Sequence, residues 1–103
     1  MKVILEPKDY PLEIPIGEKT YQVVFCRKLP GAYGMCESKN AKLILLALDQ
    51  CEEELLASFW HEALHAMSDE ANLKLSHPLI RKLEYLLAEV HLAFMKKRGQ
   101  NGL

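Results

Sequence analysis

Residues 61–65 of this 103-residue chain read H-E-A-L-H, and this segment constrains the fold more than any other part of the sequence. On an α-helix, residues four positions apart lie one above the other, so His61 and His65 would point the same way and could share one metal ion. Glu62 lies about 100° round the helix from His61, where it can reach a water molecule on that ion. Two neutral imidazole nitrogens and an open position suit a catalytic Zn²⁺. The pattern therefore predicts a helix that carries a zinc site with a base beside it.

The residues around the motif predict a central helix and not a surface one. At about 100° per residue, the apolar side chains between positions 55 and 71 fill a continuous arc of roughly 200°. No Lys or Arg occurs between Asp49 and Asn72, although a solvated helix face normally carries them. A polar strip on a mostly buried helix must face a cleft or be satisfied internally. We therefore favour a metal site over the alternative, a solvated face that holds two His and a Glu by chance.

Capping signals bound this helix and predict a second one. Asp49 is a candidate N-cap, with Glu52 three residues later as in a capping box. Asn72 is a candidate left-handed terminator, and a short link follows it. Ser76 is a candidate cap for a second helix over about 77–97. A link of about four residues implies an antiparallel helical hairpin.

A third protein ligand is expected on the second helix, and the geometry of the hairpin selects Glu84. If the hairpin turns near residues 74 and 75, position 84 faces His65. A carboxylate among apolar neighbours needs a partner, and a metal ion would serve. His77 is the alternative third ligand, although a straight link would leave it about 9 Å along the axis from His65. Glu84 could also pair with His61 or His65 across the hairpin without any metal.

The first half of the chain predicts a small antiparallel sheet of about three strands. Alternating side chains favour a strand over 20–29, and 32–36 with 42–47 would form a hairpin. Pro7, Pro11 and Pro15 punctuate an N-terminal segment that we expect to be irregular and to lie along an edge. The predicted fold is therefore α+β, one domain over residues 1–103, in which this sheet precedes an antiparallel pair of long helices that carry the zinc site.

The 32–36 strand is a candidate for binding an extended peptide at an exposed sheet edge. Gly31 and Gly34 would allow the two backbones to approach closely. An ordinary hairpin with glycines at its bends is the alternative, and the sequence does not choose between them.

Composition limits the partners and the compartment. The formal net charge is −1 and no large basic cluster occurs, which argues against nucleic acid. No apolar run is long enough for a signal peptide or a membrane span, so we expect no membrane partner. Cys26, Cys36 and Cys51 lack C-x-x-C spacing, and we interpret them as reduced, mostly buried thiols of a cytoplasmic protein. The chain is expected to be a monomer or a weak homo-oligomer.

The run W-H-E-A-L-H-A at 60–66, followed by Glu84, resembles the gluzincin metallopeptidases. The brevity of the chain resembles the compact phage and prophage proteins related to the ImmA/IrrE-type metallopeptidases. The resemblance covers about residues 20–98 and implies a zinc metallopeptidase with a peptide or protein substrate. It implies Glu62 as the general base, and as zinc ligands His61, His65 and Glu84.

Two positions depart from the gluzincin pattern. Ala88 stands four residues past Glu84, where the larger gluzincins have an acidic residue. His77 is similar in placement to the third ligand of the SprT-like proteins, which is a His from beyond the motif helix. The third ligand is therefore either Glu84 or His77.

The predicted mechanism is hydrolysis of a peptide bond, with Glu62 taking a proton from zinc-bound water. Asp69, four residues past His65, is a candidate to orient an imidazole. Two other functions remain open: a catalytically silent zinc-containing binding or regulatory module of the same fold, and a metal-free helical hairpin that binds other proteins. The oxyanion of the reaction needs a donor besides the metal, and the candidates are His77, His91, Tyr33 and Tyr85.

Overall fold

The structure, a computed structural model of the chain, describes residues 10–101 and the side chains of residues 10–96. The elements fall in the predicted α+β class, with strands first and helices after them. In chain order they are β1 (Glu13–Ile16), β2 (Lys19–Cys26), β3 (Gly34–Glu37), β4 (Leu43–Ala47), α1 (Glu52–Glu70) and α2 (His77–Asn101).

The four strands form one mixed sheet in the order β1-β2-β4-β3. The β1–β2 and β3–β4 pairs are antiparallel, and β2 and β4 are parallel. The prediction of about three antiparallel strands is therefore wrong in number and in direction. The extra strand, β1, forms because Gly17, at a φ of 64°, turns the chain back into β2. Pro15 is tolerated in β1 because β1 is an edge strand.

The parallel pair arises from the path of the chain between β2 and β4. After β2 the chain passes to the outer position, forms β3, and then turns back into the gap between them. Because β3 and β4 are antiparallel, β4 runs in the same direction as β2. The most apolar strand of the sequence thereby takes a central position, where neighbours cover both of its edges.

The core lies between this sheet and α1. Tyr21 of β2, Ile44 and Leu46 of β4, and Leu56 of α1 are all fully buried. The buried apolar side chains of α1 belong to the predicted apolar arc. This confirms that α1 is a central helix, so its polar strip must face either a cleft or satisfied polar groups.

The ends of the helices agree with the sequence in part. The N-cap of α1 is Cys51, which makes no side-chain capping bond, so the prediction of Asp49 is wrong. Asn72 is left-handed with a φ of 54°, as predicted. Ser76 caps α2 as predicted, because its hydroxyl accepts a hydrogen bond from the Leu79 N–H at 3.3 Å. Among the described residues, neither helix contains an apolar stretch sufficient for a transmembrane segment.

The link between the helices folds back on the end of α1. Asn72 and Lys74 both have left-handed φ values, 54° and 55°. The backbone N–H of Leu75 donates to the Ser68 hydroxyl at 2.8 Å, which ties the link to α1. The straight link assumed from the sequence is therefore wrong, and His77 arrives much closer to the H-E-x-x-H segment than the predicted 9 Å would allow.

Candidate metal centre

Three imidazole rings meet where α1 and the start of α2 lie together. His61 Nε2 and His65 Nε2 are 3.1 Å apart on adjacent turns of α1. The ring centroid of His77 lies 4.9 Å from that of His61 and 5.5 Å from that of His65. Each ring offers one nitrogen, and these three nitrogens lie within 4.8 Å of one another. We call His61, His65 and His77 the histidine cluster.

Two donor atoms of the histidine cluster, those of His61 and His65, have the spacing that a zinc ion needs. Nitrogens bound at 2.0–2.1 Å to a tetrahedral Zn²⁺ lie about 3.3 Å from each other, close to the 3.1 Å between His61 and His65. Three protein nitrogens would also leave one coordination position for water. A direct hydrogen bond between the two rings gives a similar separation. The metal content of the protein therefore distinguishes the two interpretations.

Glu84 contacts the outer nitrogen of His61. Its Oε1 lies 3.1 Å from His61 Nδ1, and the residue is only 9% exposed. Donation from Nδ1–H to this carboxylate leaves the lone pair of His61 Nε2 directed at His65, which is the tautomer that a metal ligand needs. The contact that Glu84 makes is thus with His61, and the third member of the cluster is His77. Glu84 as a direct metal ligand stays a prediction.

Glu62 is buried under the edge strand β3. It is 8% exposed, and a Cβ atom placed on Gly34 would lie 3.0 Å from both Cγ and Oε2 of Glu62. Only a glycine at position 34 lets the strand pass this close to the carboxyl group. Burial raises the pKa of Glu62, His61 opposes this shift and nearby Glu84 adds to it, and the resulting pKa is about 7. A carboxyl group with such a pKa can both accept and release a proton near neutral pH.

His61 and His77 of the histidine cluster, together with Glu62, border an open cleft of about 460 Å³. Residues 31–34 form one wall, and α2 contributes Arg81 and Tyr85 to the other. The Tyr85 hydroxyl donates to Glu54 Oε2 at 3.2 Å, across the cleft from α2 to α1.

Three of the four candidate oxyanion donors line this cleft, namely Tyr33, His77 and Tyr85. The fourth, His91, accepts a hydrogen bond from Trp60 Nε1 at 3.2 Å and is not one of the cleft-lining residues. Burial lowers the pKa of His91, which favours the neutral ring as an acceptor.

Two further residues differ from expectation. Asp69 is exposed and accepts a hydrogen bond from the Ser38 hydroxyl at 2.5 Å, so its hydrogen bond goes to the sheet side and not to an imidazole. Burial, followed by His61 and His77, lowers the pKa of His65, and the charge of Asp69 opposes that shift. The sequence did not single out Arg81 as a functional residue, but this exposed side chain lines the cleft. Its position one turn after His77 is the signal that could have identified it.

Comparison of the chain with protein-family models, with curated proteins and with solved structures finds no match. The resemblance to the gluzincins and to the SprT-like proteins stays a prediction based on the motif. A function can still be proposed from the side chains that meet in the cleft.

Proposed function

We propose that this chain is a zinc-dependent metallopeptidase whose site is built on the H-E-x-x-H segment of α1. The observation that carries the proposal is the pair of imidazole nitrogens of His61 and His65, 3.1 Å apart, next to the buried Glu62 at the wall of an open cleft. A purely structural zinc site has no use for a base beside its ligands. A buried carboxyl group is costly, so its place at the cleft calls for a chemical role.

His61, His65 and His77 would hold the ion, and Glu84 would hold His61 through Nδ1. Zn²⁺ bound there would lower the pKa of a water molecule and polarise a substrate carbonyl. The competing arrangement has Glu84 as the third ligand and His77 at the cleft as an oxyanion donor. The position of His77 in the histidine cluster supports the first arrangement.

Glu62 acts as the general base and then as the general acid. It accepts a proton from the attacking water and delivers one to the leaving amine. The strand passes so close to Glu62 at Gly34 that a Cβ atom there would lie 3.0 Å from Cγ and Oε2 of Glu62. This closeness limits where the carboxyl group of Glu62 can move. Tyr33 lines the cleft with a hydroxyl group that can donate to a developing oxyanion. The Tyr85 hydroxyl could do so only by giving up its hydrogen bond to Glu54.

The edge strand β3 supports an extended peptide as the substrate. β3 lies at the outer end of the sheet order, and residues 31–34 form a wall of the cleft. A peptide that pairs with this edge would have its backbone held beside Glu62. The substrate class is therefore an extended or unfolded segment of protein. A cytoplasmic location stays a prediction: Cys26, Cys36 and Cys51 are all free, but none is fully buried and Cys51 is exposed.

Metal content is the first test of the proposal. Purified protein should carry about one equivalent of zinc by mass spectrometry of the metal, because three ligands and one water position define a single site. The His61→Ala, His65→Ala double variant should lose it. His91→Ala is the matched control, since it removes an imidazole outside the cluster, and it should retain the zinc. Full zinc occupancy in the double variant would contradict the proposal.

The second test separates a peptidase from a silent binding module. Glu62→Gln keeps the shape of the side chain but removes the base, so cleavage of a mixed peptide library should fall by about 10² to 10⁴-fold. Zinc content should stay near that of the unmodified protein. Unmodified protein with full zinc and no more cleavage than Glu62→Gln would indicate a catalytically silent binding or regulatory module. Chelator-sensitive cleavage that survives in Glu62→Gln would contradict the role given to Glu62.

A further inference from the structure

A row of apolar side chains on α2 faces solvent along most of the helix. Leu79, Leu86, Val90 and Phe94 are 42%, 58%, 66% and 65% exposed, and the partly buried Leu83 lies among them. Spaced four, three, four and four residues apart, these five side chains fall within an arc of about 80° on the helix. We call them the α2 stripe. Single exposed apolar residues are ordinary, whereas a contiguous row of this kind marks an interaction surface.

The α2 stripe lies on the opposite side of the helix from the cleft. At 100° per residue, His77, Arg81 and Glu84 point roughly 120–180° away from the centre of the stripe. The buried Ile80 and Ala88 lie about 80° and 160° from that centre, outside the stripe. A partner bound to the stripe would therefore leave the cleft open, so this surface is independent of the proposed metal site.

The charges beside the stripe fit a second copy of the same chain. Lys82 and Glu89 are both exposed and lie on the same flank of the stripe, within about 20° of each other. If two α2 helices pair antiparallel about a twofold axis near Leu86, position 82 of one copy lies level with position 89 or 90 of the other. The twofold axis keeps both flanks on the same side, so Lys82 of each copy meets Glu89 of the other. Parallel pairing would separate these flanks and form neither contact.

We infer that the chain forms a homodimer in which two α2 helices pack antiparallel through the α2 stripe. The stripe is about 22 Å long, at a rise of 1.5 Å per residue. Covering it with its flanks would bury about 1,000 Å² over both copies, near the lower limit for a specific interface. The dimer is therefore of modest affinity, with a dissociation constant on the order of 1–100 μM.

Sedimentation equilibrium of the full chain tests the dimer. The average mass should rise from 11.8 kDa towards twice that value between about 1 and 500 μM protein. This range brackets the dissociation constant expected for an interface of that area. Val90→Glu should stay monomeric, because it places two carboxylates in the apolar contact. Leu12→Glu is the matched control: its side chain is 74% exposed but lies outside the stripe, and the variant should dimerise like the unmodified chain. Circular dichroism and zinc content should be unchanged in Val90→Glu, which separates this test from that of the metal site.

Charge reversal tests the antiparallel register. Lys82→Glu and Glu89→Lys should each weaken the dimer by at least about tenfold, since each replaces two attractive contacts with two repulsive ones. The double variant Lys82→Glu, Glu89→Lys re-forms both contacts and should dimerise to within about threefold of the unmodified chain. A monomer at every concentration, or a dimer that Val90→Glu does not weaken, would overturn the proposal. Failure of the double variant to recover would overturn the antiparallel register.

Discussion

Gly34→Ala should impair catalysis without removing the metal. Gly34 lies in an ordinary strand, where alanine is conformationally acceptable and would by itself favour folding by about 0.5–1 kcal/mol. The added methyl group, however, would lie 3.0 Å from Cγ and Oε2 of Glu62 and 3.4 Å from its Cδ. The strand and the Glu62 carboxyl group cannot both keep their positions. We expect the carboxyl group to move, because the Glu62 side chain can rotate whereas β3 is held in the sheet.

The size of the effect follows from these distances. Carbon atoms in contact are about 3.5–4.0 Å apart, so the Glu62 carboxyl group must shift by about 0.5–1 Å. A misplacement of about 1 Å in a reacting group can lower a rate by about 10²-fold. We therefore expect kcat to fall by about 10 to 100-fold, with thermal stability equal to or slightly above that of the unmodified protein.

Gly31→Ala is the control, because it perturbs the backbone but not the carboxyl group. Gly31 has a φ of 68°, and a Cβ placed there would meet no atom within 4 Å. Alanine at this φ costs about 1 kcal/mol, or roughly 4–8 °C in Tm for a domain of this size. At saturating peptide, kcat should fall in Gly34→Ala and stay near the unmodified value in Gly31→Ala, whereas Tm should fall only in Gly31→Ala. Because Gly31 lines the cleft, any effect of Gly31→Ala on substrate binding is expected in KM. Zinc content should be equal in both variants. Gly34→Ala with unchanged kcat, or with zinc lost, would refute the contact with Glu62 as a constraint on catalysis.

Two further predictions concern the third ligand and an acid-sensitive turn. His77→Ala should abolish stoichiometric zinc binding. Glu84→Gln keeps an oxygen acceptor for His61 and should lower zinc affinity by only about 10 to 100-fold. A zinc titration in which Glu84→Gln loses more affinity than His77→Ala would make Glu84 the ligand. Backbone N–H groups of residues 39–41 donate to the Glu37 carboxylate, and these bonds lower its pKa below the ordinary 4.5. The Glu37 carboxylate therefore contributes stability above pH 4.5, and this contribution is lost as the pH falls through the lowered pKa. The difference in Tm between the unmodified protein and Glu37→Gln should shrink in acid and stay constant near neutrality.

The local features of the fold could be predicted because neighbouring residues determine them. Asn72 and Ser76 mark the ends of the two helices through their own backbone and hydroxyl preferences, and both predictions are confirmed. The β3–β4 hairpin is likewise a contact between neighbours in sequence. The parallel pairing of β2 and β4 could not be predicted, because it depends on which strand takes the central position, and periodicity reports burial but not the pairing partner.

In the candidate site too, the sequence predicts contacts between neighbouring residues but not those that depend on the path of the chain. The spacing of His61, Glu62 and His65 determines their relative directions on any helix, so the proximity of the two imidazoles followed from the sequence. The third group depended on the path of the link. Lys74 carries no sequence signal for a left-handed conformation, yet its φ of 55° helps to bring His77 to the cluster. The assumption of a straight link therefore favoured Glu84 over His77.

The polar strip of α1 also helps to determine where α2 begins. Ser68 is buried on α1, less than one turn after His65, and its hydroxyl accepts the Leu75 N–H two residues before α2. Its carbonyl accepts the Leu73 N–H at 2.9 Å, so one residue holds the link at two points. The position of His77 is thus tied to the helix that carries His61 and His65. Because the two H-E-x-x-H imidazoles and this anchor belong to one rigid element, the three rings of the histidine cluster can be brought together by folding before any ion binds.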